Sequence, residues 1–444
     1  MRRRYLVSTL YREELDRSAM TQNISPSPRR CADDEVSTDF ASSDPKPSSV
    51  SPLVGYGLAG LRRCWMPEYA RWSHKYHLDG RTSPNESRLH SDLYYSLNVL
   101  LGLAPVRAAL TTEPYDVPAL FASICRALPN HAVRNGAWGM ALWAAAELGL
   151  DVPEVAADRL RPIVSDIASI AGWTAQDVGL SLSGATAQLR YDTSWQPLAR
   201  GLRDLLISRF SGPGALFCDS GKGLRHYFAT FATQVYVALA LYQFGEIAGD
   251  TAALAAANAC AEKLIALQGP HGEWPWFYLP GKDRVLDPYE VYSVHQHGMA
   301  PALLHHADRH GVLRARAAIE RGFGWVFGDN EMGIPMLIPS LQLIYRSQAR
   351  RGFQGRRMAR LFRSAVAVTT EQPWPTVKPA LRLTQEMRSY EFGWLLWSFG
   401  GRSDYPTLTH HAGFTSSLCV LAGDTNAPKR DHSANLSSVG LQRP

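Results

Sequence analysis

Helix-length segments of two kinds alternate along most of this chain, and that alternation limits what it can fold into. One kind is rich in Ala, Gly and aromatics on every side, as in Gly136-Ala137-Trp138-Gly139-Met140-Ala141-Leu142-Trp143 and in the run from Phe228 to Tyr236. The other carries a charged stripe, as in Asp158-Arg159-Leu160-Arg161 and in the run from Arg314 to Arg321. A helix apolar all round is buried, whereas a charged stripe faces water. Periodicity predicts helices over 53–63, 88–103, 117–128, 135–148, 155–170 and 175–189, then over 195–210, 226–248, 251–267, 288–310, 313–327 and 385–399. Strand alternation is scarce. Short links punctuated by Gly and Pro, such as Gly149-Leu150-Asp151-Val152-Pro153, favour antiparallel neighbours.

Alternating buried and exposed helices imply two concentric layers. The expected fold is all-α, an α/α toroid of about six helical hairpins, each with an inner and an outer helix. The inner segments begin near 88, 135, 175, 226, 288 and 385, a spacing too irregular for a solenoid. The expected folded domain is 52–422. Residues 1–51 and 423–444 are expected to be disordered tails, because their Ser, Pro and charge leave too little apolar surface to offset ordering entropy.

A net charge of +6 without an aromatic-and-basic signature argues against a nucleic-acid partner. After Met1-Arg2-Arg3-Arg4, charges at Arg12, Glu13, Glu14 and Asp16 interrupt any signal-like run. No stretch reads as the ~20 apolar residues of a membrane span, so a cytoplasmic location is expected. The six cysteines are scattered with no Cys-x-x-Cys pair, which argues for reduced thiols and against a zinc ribbon.

Gln268-Gly269-Pro270-His271-Gly272-Glu273-Trp274, after the helix end Leu264-Ile265-Ala266-Leu267, resembles the Gln-to-Trp repeat of the terpenoid cyclase and prenyltransferase toroids. In that repeat Gln bonds orphan helix-end groups, Gly turns the chain and Trp packs over the junction. The cyclase acid motif Asp-x-Asp-Asp does not accompany it: the adjacent pair Asp33-Asp34 lies in the tail. Long polar connections and abundant Trp and Tyr resemble instead the six-hairpin glycosidases, sugar epimerases and toroid polysaccharide lyases. That resemblance implies a bacterial carbohydrate-acting protein of polysaccharide biosynthesis or metabolism, a glycoside hydrolase, lyase or epimerase. A terpenoid-cyclase-like toroid and a non-catalytic glycan- or protein-binding scaffold stay open as alternatives.

Three connections carry the chemistry. In the segment from Asp219 to Tyr227, Asp219 is a candidate catalytic acid, and Lys222, Arg225 and His226 are candidates for holding an acidic sugar. An Asp-Ser-Gly turn also serves as a cap. In the segment from Asp287 to His297, Glu290 and His295 are catalytic candidates, because a His titrates near working pH. A buried structural histidine is the alternative reading. His295 and His297 lie two apart and diverge by about 200° on a helix, so no shared metal is expected, and no cofactor. Trp274, Trp276, Tyr289 and Tyr292 suit a sugar-stacking floor or a packed core. The third connection, Gly328-Asp329-Asn330-Glu331-Met332-Gly333, offers Glu331 as a binding residue or simply makes a solvated turn. The arginine-rich run from Arg346 to Arg363 reads either as a solvated insertion or as a contact for membrane or a lipid-linked glycan.

Overall fold

In a computed structural model, which describes residues 50–351, 362, 366, 369–370 and 380–415, twelve helices alternate between an outer and an inner layer. The outer ones are α1 (Pro52–Cys64), α3 (Val117–Ala127), α5 (Glu154–Leu160), α7 (Gln196–Leu205), α9 (Thr251–Ala266) and α11 (Ala315–Phe327). The inner ones are α2 (Leu89–Leu103), α4 (Gly136–Leu148), α6 (Ala175–Leu189), α8 (Phe231–Ala248), α10 (Ala300–Arg309) and α12 (Ser389–Phe399). Each inner helix packs on the next, and α12 packs back on α2 to close the ring. The fold is an α/α toroid of six hairpins.

Local chemistry explains the layers. In α6 every residue but Leu189 is buried, whereas α7 buries Leu198, Ala199 and Leu202 alone. Side-chain oxygens of Asp116, Thr174, Thr230 and Asp250 cap free amides at the starts of α3, α6, α8 and α9. Gly149 and Gly249 end α4 and α8 in the left-handed conformation that suits glycine. Where inner helices meet, glycine lets backbones touch. A Cβ on Gly102 would stand 2.2 Å from the Gly393 carbonyl oxygen, and one on Gly184 would stand 2.3 Å from that of Gly139.

The two ends of the ring differ. Inner-to-outer links such as 149–153, 190–195 and 310–314 are short, whereas the outer-to-inner links 65–88, 206–230, 267–299 and 328–388 are long and carry the strands. Small antiparallel sheets stitch those long links together. Ser347–Arg350 pairs with both Leu381–Leu383 and Val291–Tyr292, and Glu386–Met387 pairs with Lys75–His77.

The structure corrects several boundaries. The expected helix over 288–310 begins only at Ser293, just ahead of a π-helical turn, His295–Met299, because Val291–Tyr292 are spent on the sheet and Ser293 N donates to the Arg346 carbonyl at 2.9 Å. Pro301 has no N–H with which to continue an α-helical ladder back through this turn. The helices over 226–248 and 385–399 likewise lose their first residues to strands. The expectation that no stretch has the length of a membrane span does not hold for Leu89–Thr111, which is long and apolar enough by composition, though most of it lies buried in the ring. The tails lie outside the described residues apart from positions 50 and 51.

Gly102→Ala is expected to destabilise the fold by about 1–3 kcal/mol through backbone overpacking. Gly55→Ala, with nothing within 4 Å of the new methyl, is expected to be neutral or mildly stabilising. Urea unfolding midpoints of both variants check this, and equal midpoints would contradict the packing argument.

Candidate functional site

The long links converge on a cavity of about 950 Å³ at the N-terminal ends of the inner helices. Its polar wall is built from helix starts. Asp177, in the first turn of α6, accepts from Gly136 N at 3.0 Å, Thr174 N at 3.2 Å and Thr174 Oγ1 at 2.6 Å. These bonds complete a capping box and tie α6 to α4. Next to it, Arg134 Nη2 donates to Gln176 Oε1 at 3.0 Å, and Gln176 Nε2 donates to Thr233 Oγ1 at 2.9 Å. The Thr233 hydroxyl donates to Asp219, and the other Asp219 oxygen receives both Nε and Nη2 of Arg225. A continuous belt thus runs from Arg134 to Arg225. Among the described residues, Asp177 and Asp219 are the two carboxylates that line the cavity.

The rest of the lining is aromatic. Trp276 stacks on His295 with ring planes 6° apart and centroids 5.5 Å apart. Tyr95 and Tyr390 stand 4.6 Å apart, and Trp394 is 5.7 Å from Tyr236. Trp394 also meets Trp143 at 6.3 Å, which fills the ring interior beneath. Arg346 completes the lining. Behind it lies Glu391, with both carboxylate oxygens buried and unpartnered among the described residues. Burial pushes its pKa up to about 8, against the pull of Arg346 and Arg388. Burial likewise lowers His295 to about 3, aided by Arg346, so the ring is neutral at pH 7.

Of the residues singled out in the sequence, the fold brings Asp219, Arg225, Trp276 and His295 to the cavity. The others lie off its wall. Glu290 is buried between Tyr292 Oη at 2.8 Å and Ser347 Oγ at 3.0 Å. Lys222 is exposed, and His226 Nδ1 bonds the Ser220 carbonyl at 3.1 Å. Tyr289 and Tyr292 sit under the guanidinium groups of Arg350 and Arg346, at 5.4 and 5.0 Å. Trp274 is wholly buried against Phe231, and Gln268 Nε2 donates to the Gly272 and Ala318 carbonyls at 2.9 Å, so that segment is an architectural junction. His297 is buried with neither ring nitrogen partnered among the described residues. Glu331 adjoins a turn pinned by Asn330, whose amide donates to the Trp325 and Ile334 carbonyls. In the arginine-rich run, Arg346 faces the cavity and Arg350 pairs with Asp287 at 3.1 Å, which removes both from any outward docking face. Arg356, Arg357, Arg360 and Arg363 lie outside the described residues.

Sequence reasoning missed Asp177, Arg134, Tyr95, Tyr390 and Arg346. The signal for two of them was present: Arg134 and Asp177 lie just before or within the first turn of an expected inner helix, and Thr174-x-x-Asp177 is a readable capping pair.

Six hairpins with a polar and aromatic cavity at one end define the class of fold: this is an α/α toroid. Solved structures of the same fold include unsaturated glucuronyl hydrolase from Bacillus sp. GL1, with a TM-score of 0.51, 12% identity, and coverage of 78% of this chain and 94% of that one. Cellobiose 2-epimerase from Bacillus thermoamylovorans B4167 has a TM-score of 0.51 and 12% identity, and covers 78% of this chain and 98% of that one. A sugar epimerase from a ruminal bacterium has a TM-score of 0.51 at 7% identity, over 78% of this chain and 96% of that one. No protein-family model matches the chain, and no curated protein sequence matches it.

The buried histidines set an acid limit on stability. His295, His297 and His305 are each lowered by burial from 6.5 to about 3. Between those values the unfolded chain binds protons that the folded chain refuses. Their contribution is therefore complete above pH 6.5 and is lost as pH falls toward 3, at up to about 1.4 kcal/mol per pH unit for each. Glu391 opposes them as one group, its contribution being lost as pH rises through about 8. Unfolding free energy is expected to fall from pH 6.5 to 5, and His297→Leu to reduce the slope by roughly one proton. A flat profile over that range would refute this reading.

Proposed function

We propose that this chain acts on a saccharide bound in the loop-end cavity, and that it cleaves a glycosidic bond there. The observation that carries this reading is the pairing of Asp177 and Asp219 in one aromatic-walled cavity. Glycoside hydrolysis needs two carboxyl groups flanking the scissile bond, one as acid and one as base or nucleophile. Trp276 and Tyr390 offer flat faces that match the C–H faces of a pyranose ring. An apolar terpenoid cavity would not be expected to carry a belt of two carboxylates and two guanidinium groups. A plugged scaffold ring would not leave a cavity large enough for one or two sugar units.

The two acids are held differently, and that assigns their roles. Asp177 is fixed by backbone amides and by its capping box, so its place is to stabilise charge that develops on the sugar ring. Asp219 is held in part by Arg225, a side chain 45% exposed at the mouth. A partner that can swing away leaves Asp219 able to exchange a proton with the glycosidic oxygen or with water. His295 supports a second reading, epimerisation or elimination, because its ring is neutral, lines the cavity and has Nδ1 unpartnered among the described residues. The occurrence of carbohydrate enzymes among solved structures of this fold supports the saccharide reading by analogy of fold.

Asp219→Asn is expected to lower turnover of a cleaved oligosaccharide by at least about 100-fold while leaving binding within a few-fold. Reducing-sugar release from a panel of neutral and acidic oligosaccharides measures this. Full turnover in Asp219→Asn, with loss in His295→Asn, would move the assignment to the second reading.

A further inference from the structure

The rim of the cavity beside Asp219 is apolar. The segment that carries Asp219 continues through Gly221 and Gly223 into a single 3-10 turn, Leu224–His226. Tyr227 N closes that turn on the Leu224 carbonyl at 3.1 Å. Residues three apart eclipse on a 3-10 turn, so the side chains of Leu224 and Tyr227 stand on one side of it. Both meet solvent: Leu224 is 44% exposed and Tyr227 is 56% exposed. The turn itself is anchored. Gly223 enters it with a φ of +72°, His226 Nδ1 bonds the Ser220 carbonyl at 3.1 Å, and Arg225 is bonded twice to Asp219. The chain thus holds two large apolar side chains in water at the mouth of the site.

An apolar path joins them to the cavity. Leu224, Phe228, Phe277 and Trp276 all line it. Trp276 meets Phe277 edge to face at 5.6 Å, and Phe277 meets Phe228 in the same way at 5.6 Å. Phe228 and Phe277 pack with Leu279 and Leu286 in a small apolar cluster apart from the main core. The polar groups of the same segment are engaged or lie off the wall. Arg225 is committed to Asp219, His226 Nδ1 to Ser220, and Lys222 does not line the cavity. Of the large apolar side chains exposed among the described residues, Leu224 alone lines the cavity, and Tyr227 stands beside it. A single exposed leucine is ordinary, whereas an exposed apolar patch continuous with a cavity marks a binding groove.

Resting on the saccharide reading above, we infer that the bound sugar carries an apolar aglycone, such as an alkyl chain, and that Leu224, Tyr227 and Phe277 receive it. Asp219 sets the direction. The acid that protonates the glycosidic oxygen stands beside the group that departs. Asp219 opens the segment that leads to Leu224 and Tyr227, so the departing group lies along that segment. The sugar lies inward, against Trp276 and Tyr390, and the aglycone runs outward over the rim. A second sugar fits this rim less well, because its hydroxyl groups would be set against Leu224 and Phe277 with few free partners on the segment. Leu224 and Tyr227 are specificity residues here, and their role is to discriminate between departing groups.

The test is calorimetric binding to the full chain of methyl, butyl and hexyl glycosides of glucose, galactose and mannose. Cellobiose, mannobiose and tetraethylene glycol monohexyl ether complete the panel. Affinity is expected to rise by about 2- to 4-fold for each added methylene, the worth of taking a partly or wholly buried CH2 out of water. The double variant Leu224→Ser, Tyr227→Ser is expected to shrink the hexyl-to-methyl ratio below about 3-fold, and the exposure of both side chains spares the fold. Leu313→Ser removes an exposed leucine from the link 310–314 at the other end of the ring and is expected to leave the ratio unchanged. Equal binding of hexyl and methyl glycosides by the native chain overturns the aglycone inference alone. So does a ratio that survives in the double variant, or one that falls as far in Leu313→Ser. Tighter binding of a disaccharide than of any hexyl glycoside overturns it in favour of a second sugar. Binding of the hexyl ether alone, or of nothing in the panel, overturns the saccharide reading, and this inference with it.

Discussion

Backbone contact between inner helices is the constraint on which this fold depends. Gly393 of the last inner helix lies against Gly102 of the first, and no side chain fits between them. The same device recurs at Gly139 and Gly184, and at Gly179 against the Tyr236 carbonyl. Helices that approach so closely leave a narrow ring interior. The large aromatics Trp143, Trp394 and Trp397 fill it, with Trp143 at 6.3 and 5.3 Å from the other two. The ring is therefore a solid base with a cavity at one end, floored by Trp394.

That base decides where chemistry can occur. Every inner helix starts at the same end, so six helix beginnings and the links that lead into them share one space. Helix beginnings need acceptors for their free amides, and those acceptors become the polar wall. Asp177 caps α6 and ties it to α4 while facing the cavity. Thr230 caps α8 and also receives Gln176. Stability and site geometry thus rest on the same hydrogen bonds. This keeps the wall rigid, and it also means that variants of Asp177 weaken fold and function together.

The architecture was legible because helix burial leaves a direct mark on composition. Expected inner starts near 88, 135 and 175 fall beside the observed Leu89, Gly136 and Ala175. Later starts slipped toward the C-terminus, to Phe231 and to the turn at His295, because short strands claim the residues before them. Those strands pair over long separations, as Val291 does with Gln348, and local periodicity carries no trace of such a partner. The site suffered for the same reason. Periodicity places Glu290 in the same helix as His295, but sheet pairing of the next residues turns it toward Ser347 and away from the cavity. Arg346 was read as the start of a basic surface, whereas its strand neighbour Ser347 pairs with Tyr292 and seats it in the wall.

Unpartnered buried atoms do not by themselves mark the site. His297 and His305 each have two such ring nitrogens and lie off the cavity wall, where they are simply costs of a tightly packed ring. His295 Nδ1, Tyr94 Oη and Arg346 Nη1 are of the same kind but belong to residues that line an open space. All of these atoms have almost no accessible surface, so what marks the site is a residue's place on the cavity wall and not its missing partner.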